Sequence, residues 1–253
     1  MDLGLSGKKA IITGSTRGIG RAIANLLADE GVHLAICSRH QAEVDSAISE
    51  LGAKGVKVIG AAVDVGDKAA YQAWITRSAE ELGGLDIFVP NVSAGGGNMS
   101  DEGWQNNFNI DLLGTTRGIE AALPFLKKSS AASIVVISST AGVETFMGPQ
   151  PYNAIKGALV IHAKQLSQAL AADGVRVNCV SPGPVFIQGG AWEYIKTHMT
   201  PLYDSTLAQI PQGRMGSAEE VANAVVFLAS PAASLITGVN LVADGGFTKR
   251  VQL

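Results

Sequence analysis

Ala10-Ile11-Ile12-Thr13-Gly14-Ser15-Thr16-Arg17-Gly18-Ile19-Gly20 decides the fold of this chain. Its first four residues read as a buried strand, and Gly18–Asp29 carries the apolar periodicity of a helix. Between them, glycines permit a tight turn and a close approach of backbone to a ligand. The free N–H groups and positive dipole end of the helix that follows suit a pyrophosphate. The spacing Gly-x-x-x-Gly-x-Gly differs from the common dinucleotide fingerprint. Its place after a strand, in the first strand–helix unit, still reads as a nucleotide turn. Gly14, Ser15, Arg17, Gly18, Ile19 and Gly20 are then the expected contacts, and a turn of purely structural purpose is the alternative.

The same alternation runs along the chain. Strand-like apolar runs lie at Leu34–Cys37, Val56–Val63, Ile87–Val89, Ile134–Ser138, Val175–Val180 and Val239–Val242. Helical patterns separate them at Gln41–Leu51, Lys68–Leu82, Asp101–Lys127, Tyr152–Ala172 and Ala218–Ala229. This predicts an α/β fold, a doubly wound parallel sheet of about seven strands with helices on both faces. The near-continuous apolarity of Ile134–Ile137 fits a strand buried on both sides. With no linker or low-complexity break, residues 1–253 read as a single domain. Residues 188–212 interrupt the pattern by mixing Trp192, Tyr194, Met199, Leu202 and Tyr203 with polar residues. They read as a small helical lid over a ligand, or as a helix pair that only packs on the core.

Composition narrows the function. The chain has 253 residues, is 47% hydrophobic, and carries 30 glycines and a net charge of −3. Those values suit an α/β protein with many tight turns. No basic stripe supports binding to nucleic acid or an anionic membrane. No apolar run is long enough to span a bilayer, and Met1–Gly7 lacks the features of a signal peptide, so a cytoplasmic location is expected. Four scattered histidines and two cysteines form no metal-ligand pattern. Cys37 and Cys179, each inside an apolar strand, read as small buried hydrophobes.

The second strand ends in Cys37-Ser38-Arg39-His40. An acid there would accept hydrogen bonds from an adenosine ribose. Instead, Arg39 and Arg17 offer guanidinium forks for a 2′-phosphate, which predicts NADP(H) in preference to NAD(H). The alternative for Arg39 is an ordinary surface arginine.

Tyr152-Asn153-Ala154-Ile155-Lys156 places a phenol and an ammonium one helical turn apart on one face. A phenol is a poor acid/base at neutral pH, and a nearby ammonium favours the phenolate and brings proton transfer within range. Ser139, upstream, offers a hydroxyl to the substrate oxygen. Alone, this spacing arises in helices by chance. Its company is what gives it weight.

Together these stretches resemble the short-chain dehydrogenase/reductase family across nearly the whole chain. The glycine-rich turn, Asp64-Val65, Ser139, Tyr152-x-x-x-Lys156, Pro182-Gly183 and Asp244-Gly245-Gly246 recur in family order and spacing. The stretch from Gly213 through Phe247 is most similar to 3-oxoacyl carrier-protein reductases and their relatives. The resemblance implies a Rossmann-type fold with Asp64 at the adenine and Val65 beside it. It also implies cofactor contacts at Asn91 and at the Pro182-Gly183 turn with Val185. Lys156 would bind the nicotinamide ribose as well, and Tyr152 would be the acid/base. Three departures stand out. Pro90-Asn91-Val92-Ser93 replaces the family's Asn-Asn-Ala-Gly. Ile187 replaces a threonine that would contact the nicotinamide amide. Asp111, following Trp104, replaces an asparagine that helps hold a relay water. It adds a charge able to pair with Lys156, or it is a helix-lining acid without catalytic duty.

The expected function is an NADP(H)-dependent oxidoreductase acting on a carbonyl/alcohol pair, with Ser139, Tyr152, Lys156 and Asp111 as candidate catalytic residues. Phe146, Met147, Trp192 and Tyr194, beside Gly95–Gly97, suit a medium-sized, mostly apolar substrate, a 3-oxoacyl compound among them. Mutual packing of those side chains is the alternative. Competing readings are an NAD-dependent alcohol or sugar dehydrogenase, and a catalytically impaired nucleotide-bound sensor or scaffold. Leu112–Leu126 and Ala154–Leu170 are apolar around more of their surface than one sheet covers, which predicts packing between subunits. By the family resemblance this is a homotetramer or a homodimer.

Overall fold

A computed structural model describes residues 2–251. Among them seven strands form one sheet: β1 (Lys9–Thr13), β2 (His33–Ser38), β3 (Val58–Ala62), β4 (Ile87–Val89), β5 (Ser133–Ile137), β6 (Arg176–Pro182) and β7 (Asn240–Ala243). The strand order is β3-β2-β1-β4-β5-β6-β7, and every pairing is parallel. The direction of winding reverses between β1 and β4. In such sheets the crevice at the carboxyl ends of the strands, at that reversal, is where ligands bind.

Nine α-helices surround the sheet among the described residues: α1 (Gly18–Asp29), α2 (Gln41–Gly52), α3 (Lys68–Leu82), α4 (Asp101–Asn107), α5 (Gly114–Leu126), α6 (Pro151–Leu170), α7 (Ala191–His198), α8 (Thr200–Leu207) and α9 (Ala218–Ala229). Side chains alternate across a strand, and β1 shows the result. Ile12 joins the apolar layer under α1, α2 and α9, while Ile11 joins the layer under α3, α5 and α6. Both isoleucines are fully buried, as expected for a central parallel strand. A third, smaller cluster lies under α7 and α8.

Two local features depart from the sequence pattern. The helix expected over Asp101–Lys127 is broken by a π-helical turn at Phe108–Leu113, which joins α4 to α5. Apolar residues still fall at helical spacing across it, so the sequence reads as continuous. β4 is only three residues long because Pro90 follows it. Proline has no N–H to donate, and the β1–β4 ladder stops at Ile12 and Val89. On α5, Gly118 lets α3 approach closely. A Cβ there would fall within van der Waals overlap of the buried Tyr71 hydroxyl and the Phe88 ring.

Cys37 on β2 and Cys179 on β6 are buried, and burial pushes each thiol up to about 12. Unfolded thiols ionise near pH 8.5. Between about pH 8.5 and that value the folded chain binds more protons than the unfolded one, so stability falls as pH rises. Neither thiol should react with a colorimetric thiol reagent in the native protein, and both should react in denaturant. Cys37→Ala and Cys179→Ala should each flatten the alkaline loss of stability followed by denaturant titration.

Candidate active site

The glycine-rich turn leaves β1 at the reversal point. Gly14 and Gly18 adopt φ of +63° and +58°, a region that side chains rarely enter. Gly20 is held against the turn so closely that a Cβ would overlap the Gly14 carbonyl and lie 2.5 Å from Asn91 Nδ2. Asn91 is the turn's clamp. Its Nδ2 donates to the carbonyls of Thr13 and Gly14 at 3.0 and 3.1 Å, and its N–H donates to Thr13 Oγ1 at 3.0 Å. The Pro90-Asn91-Val92-Ser93 departure therefore keeps the asparagine in a fastening position. Ser15 is fastened too. Its Oγ donates to the Ile12 carbonyl at 2.8 Å and accepts from Cys37 N at 3.3 Å.

Around this turn the other cofactor candidates divide by exposure. Arg17 and Arg39 are exposed, and among the described residues neither guanidinium has an acidic partner. Asp64 is exposed and Val65 is buried. Gly183 lies against Asp244, where an added Cβ would come within 2.6 Å of the Asp244 Cβ. Asp244 in turn accepts hydrogen bonds from Gly246 N, Thr248 N and Thr248 Oγ1 at 2.9, 2.8 and 2.7 Å. The Asp244-Gly245-Gly246 ending thus braces the Pro182-Gly183 turn, and Val185 beyond it bridges to Gly216. Ile187 packs against the nucleotide turn, its Cδ1 3.5 Å from where a Gly18 Cβ would stand. Left-handed glycines, open backbone and unpartnered guanidinium groups fit a dinucleotide lying across these strand ends.

The candidate catalytic side chains come from three segments: Ser139 from the turn after β5, Asp111 from the π-helical turn, and Tyr152 and Lys156 from the start of α6. Ser139 follows β5, where its Oγ accepts from Ala141 N at 3.2 Å. The short turn it opens, Thr140–Gly142, abuts α6: a Cβ on Gly142 would lie 2.6 Å from both Gly157 N and Lys156 C. Ser138 Oγ also donates to the Lys156 carbonyl at 2.8 Å. Together these contacts set the register of α6 against β5. Tyr152 and Lys156 occupy the start of α6, with Lys156 Nζ over the tyrosine ring, 5.5 Å from its centroid.

Lys156 is 2% exposed and Asp111 is fully buried. Lys156 Nζ donates to the Ile137 carbonyl at 3.1 Å and lies 3.1 Å from Asp111 Oδ1. The carboxylate contact lacks hydrogen-bond alignment and is an ion pair held by charge. Asp111 Oδ2 accepts from Ala94 N at 2.8 Å. Asp111 sits within the π-helical turn, a distortion that recurs at functional sites.

On the substrate side the candidates separate. Phe146 and Trp192 meet at 6.2 Å between ring centroids, with Phe247 edge-on to Phe146 at 5.1 Å and Tyr203 beside Trp192 at 6.4 Å. Tyr194 is 60% exposed and stacks on His198. Met147 is exposed and, at φ +56°, is alone among the described non-glycine residues in the left-handed region. A cleft of about 780 Å³ runs beside this loop, lined by Met99, Trp104, Val143, Glu144, Gln150 and Asn153. Sequence reasoning passed over Ser138, Gly142, Gly157 and Phe247. The glycines were open to notice, since one closes the Ser139 turn and the other follows Lys156 directly.

A glycine-rich turn at the winding reversal, with Ser139 in the turn after β5 and Tyr152 and Lys156 at the start of α6, fits an oxidoreductase of CH–OH and C=O groups. A family profile described as enoyl-(acyl carrier protein) reductase matches residues 14–248. Isoepoxydon dehydrogenase patN of Penicillium expansum is 39% identical over 248 residues, covering 96% of this chain and 95% of that protein. 3-Oxoacyl-[acyl-carrier-protein] reductase FabG of Vibrio harveyi is 35% identical over 254 residues, covering 96% and 98%. L-Sorbose reductase from Gluconobacter frateurii, in a crystal structure with NADPH and L-sorbose, shares a TM-score of 0.90 at 32% identity, covering 99% of this chain and 100% of that one. The chain belongs to the short-chain dehydrogenase/reductase family, whose members use NAD(P). Among the described residues no helix is long and apolar enough to cross a membrane, and no cluster of His, Cys, Asp and Glu could hold a metal.

Asp111→Ala would leave the Lys156 charge buried without its counter-ion and should destabilise the fold by about 3–5 kcal/mol in urea titration. Asp111→Asn keeps an acceptor for the Ala94 N–H and should cost less.

Proposed function

We propose that this chain is an NADP(H)-dependent oxidoreductase that interconverts the carbonyl and alcohol of a medium-sized, mostly apolar compound. The observation carrying this reading is the placement of Lys156 Nζ over the Tyr152 ring, on a helix locked against the Ser139 turn. A bound nicotinamide would supply or accept the hydride. Ser139 Oγ donates to the substrate oxygen. Tyr152 gives that oxygen its proton in reduction and takes it back in oxidation, so carbonyl, hydride and proton balance the alcohol. Lys156 sets a positive charge beside the tyrosine and reaches towards the nicotinamide ribose. Asp111 is a positioning residue that holds Lys156 and the Ala94 backbone together.

The cofactor would lie along Gly14–Gly20, with Asp64 and Val65 at the adenine end and Pro182, Gly183 and Val185 at the nicotinamide end. Arg17 and Arg39 would take the 2′-phosphate, and their lack of acidic partners supports NADP(H), as does the NADPH in the L-sorbose reductase structure. Residues 188–212 form the proposed lid of a single domain, with Phe146 and Trp192 at its inner contact. The relatives named above carry names of an isoepoxydon, a 3-oxoacyl and a sorbose enzyme. They support carbonyl chemistry and divide on substrate, so the apolar lining of the loop and lid carries that part of the reading. Trp104 and Phe108, each 45% exposed, and Ile161, 64% exposed, lie on α4, the π-helical turn and α6, and support subunit contact through those helices. We infer a homotetramer or homodimer within the cytoplasm.

Tyr152→Phe should keep the fold and lower turnover about 10²–10⁴-fold. Cofactor absorbance across a carbonyl and alcohol panel is the measurement, and a variant retaining most of its activity would refute the role. A wild-type protein that binds NADPH but turns over nothing on the panel would be a sensor instead. Sedimentation of the full chain should give a dimer or tetramer, and monomer alone overturns the interface.

A further inference from the structure

β2 ends without an acid, yet an acid reaches its end from the next helix. Glu43, in the first turn of α2, accepts from Thr16 Oγ1 at 2.9 Å through Oε2. The same oxygen accepts from Ser38 Oγ at 3.4 Å. Thr16 belongs to the glycine-rich turn and Ser38 is the last residue of β2. A single carboxylate oxygen therefore bridges the two segments that would frame the adenosine ribose. Beside it, a cleft of about 570 Å³ runs between α1 and α2, lined by Thr16, Arg21, Asn25, Glu43 and Glu50 among others. Arg21 is already committed there, to Glu50 at 2.6 Å and to Asn25 at 3.1 Å. Arg17 and Arg39, by contrast, have no acidic partner among the described residues.

We propose that Glu43 sets the discrimination between the two nicotinamide dinucleotides. Its carboxylate holds the Thr16 hydroxyl and competes with the His40 carbonyl, 3.3 Å from Ser38 Oγ, for the Ser38 hydroxyl. Both are donors a 2′-phosphate could use, and the charge of Glu43 opposes a phosphate dianion. A neutral ribose 2′-hydroxyl, by contrast, can donate to Glu43 in a charge-assisted hydrogen bond. Bound NADP(H) must displace the carboxylate from Thr16 and Ser38, with Arg17 and Arg39 offsetting the repulsion. Discrimination is then a difference between an attractive and a repulsive element at one site. The inference rests on the NADP(H) reading above for the role of the two arginines.

The test is direct binding of NADPH and of NADH, followed by their fluorescence at low ionic strength, because exposed charges are screened by salt. Glu43→Gln should tighten NADPH about five- to tenfold without tightening NADH, a size in keeping with one like charge removed at short range near the surface. Asp45→Asn removes an exposed charge from the same helix without freeing Arg21 from Glu50 and should leave the NADPH-to-NADH ratio within about twofold. An unchanged ratio in Glu43→Gln, or an equal shift in Asp45→Asn, overturns the proposal. Arg39→Ala reports separately on the reading beneath it. Selective loss of NADPH supports the phosphate site, and equal loss of both cofactors refutes that site whatever Glu43→Gln does. Binding of neither dinucleotide by the wild-type chain refutes both.

Discussion

The site depends on keeping a lysine ammonium where water scarcely reaches it. Lys156 is 2% exposed, and an isolated charge at such depth would cost several kcal/mol. The fold meets that cost with a carboxylate, a backbone carbonyl and an aromatic face. Each comes from a different element: Asp111 from the π-helical turn, the Ile137 carbonyl from β5, and Tyr152 from α6 itself. Because Asp111 also holds the Ala94 N–H, the same pair ties the loop after β4 to α6. A neutral amide at 111 would hold the loop without countering the charge. Aspartate does both, so in this chain the lysine is neutralised by the protein before any cofactor arrives.

The nucleotide end is built by the opposite means. It carries little buried charge and relies on the absence of side chains. Gly14, Gly18 and Gly20 let the turn fold under Asn91, and Gly183 lets the Asp244 turn lie against the end of β6. Charge enters at the rim, on Arg17, Arg39, Glu43 and Asp64, where solvent weakens its effect. In the proposed assignment the reacting end therefore resists change through electrostatics, whereas discrimination between cofactors would rest on a few exposed groups at the other end. Both ends hang from one winding reversal, because β1 carries the turn and β4 delivers Asn91 to it.

How much of this was legible follows from what each feature demands of the sequence. The strands showed because burial on both faces requires unbroken apolar runs, and α1, α3 and α9 began and ended where periodicity placed them. Ser139, Tyr152 and Lys156 could be singled out because they stand in family order and spacing, and the fold sets Lys156 Nζ over the Tyr152 ring on a helix that abuts the Ser139 turn. The π-helical turn did not show, because widening one turn leaves the apolar spacing of Trp104, Phe108 and Leu112 unchanged. Glu43 was missed for a similar reason. An acid was sought at the end of β2, whereas the structure reaches the same point from the first turn of α2. Phe146 and Trp192 were each noted, but their contact joins segments far apart in the chain, and only the folded sheet brings them together.

That contact bears on how the substrate side moves. α7 and α8 lie on the core through Trp192, Tyr203 and Phe186, with Lys196 Nζ 5.5 and 5.6 Å from the rings of Phe186 and Tyr203. Aromatic pairs contribute about 0.5–1.5 kcal/mol each beyond their buried area. Such a segment opens at far lower cost than the sheet, which would have to break its whole core. The facing loop is held more firmly, since Glu144 accepts from the backbone N–H groups of Lys249 and Arg250 at 3.0 and 3.2 Å, and Phe247 packs edge-on to Phe146. One wall is thus anchored by hydrogen bonds to the C-terminal stretch, while the other rests on the buried Ile195 and on a small cluster of rings and aliphatic side chains that includes Leu207 and Ile210. If residues 188–212 act as the proposed lid, the α7–α8 wall is the one free to lift, against a Phe146 wall held by the C-terminal stretch.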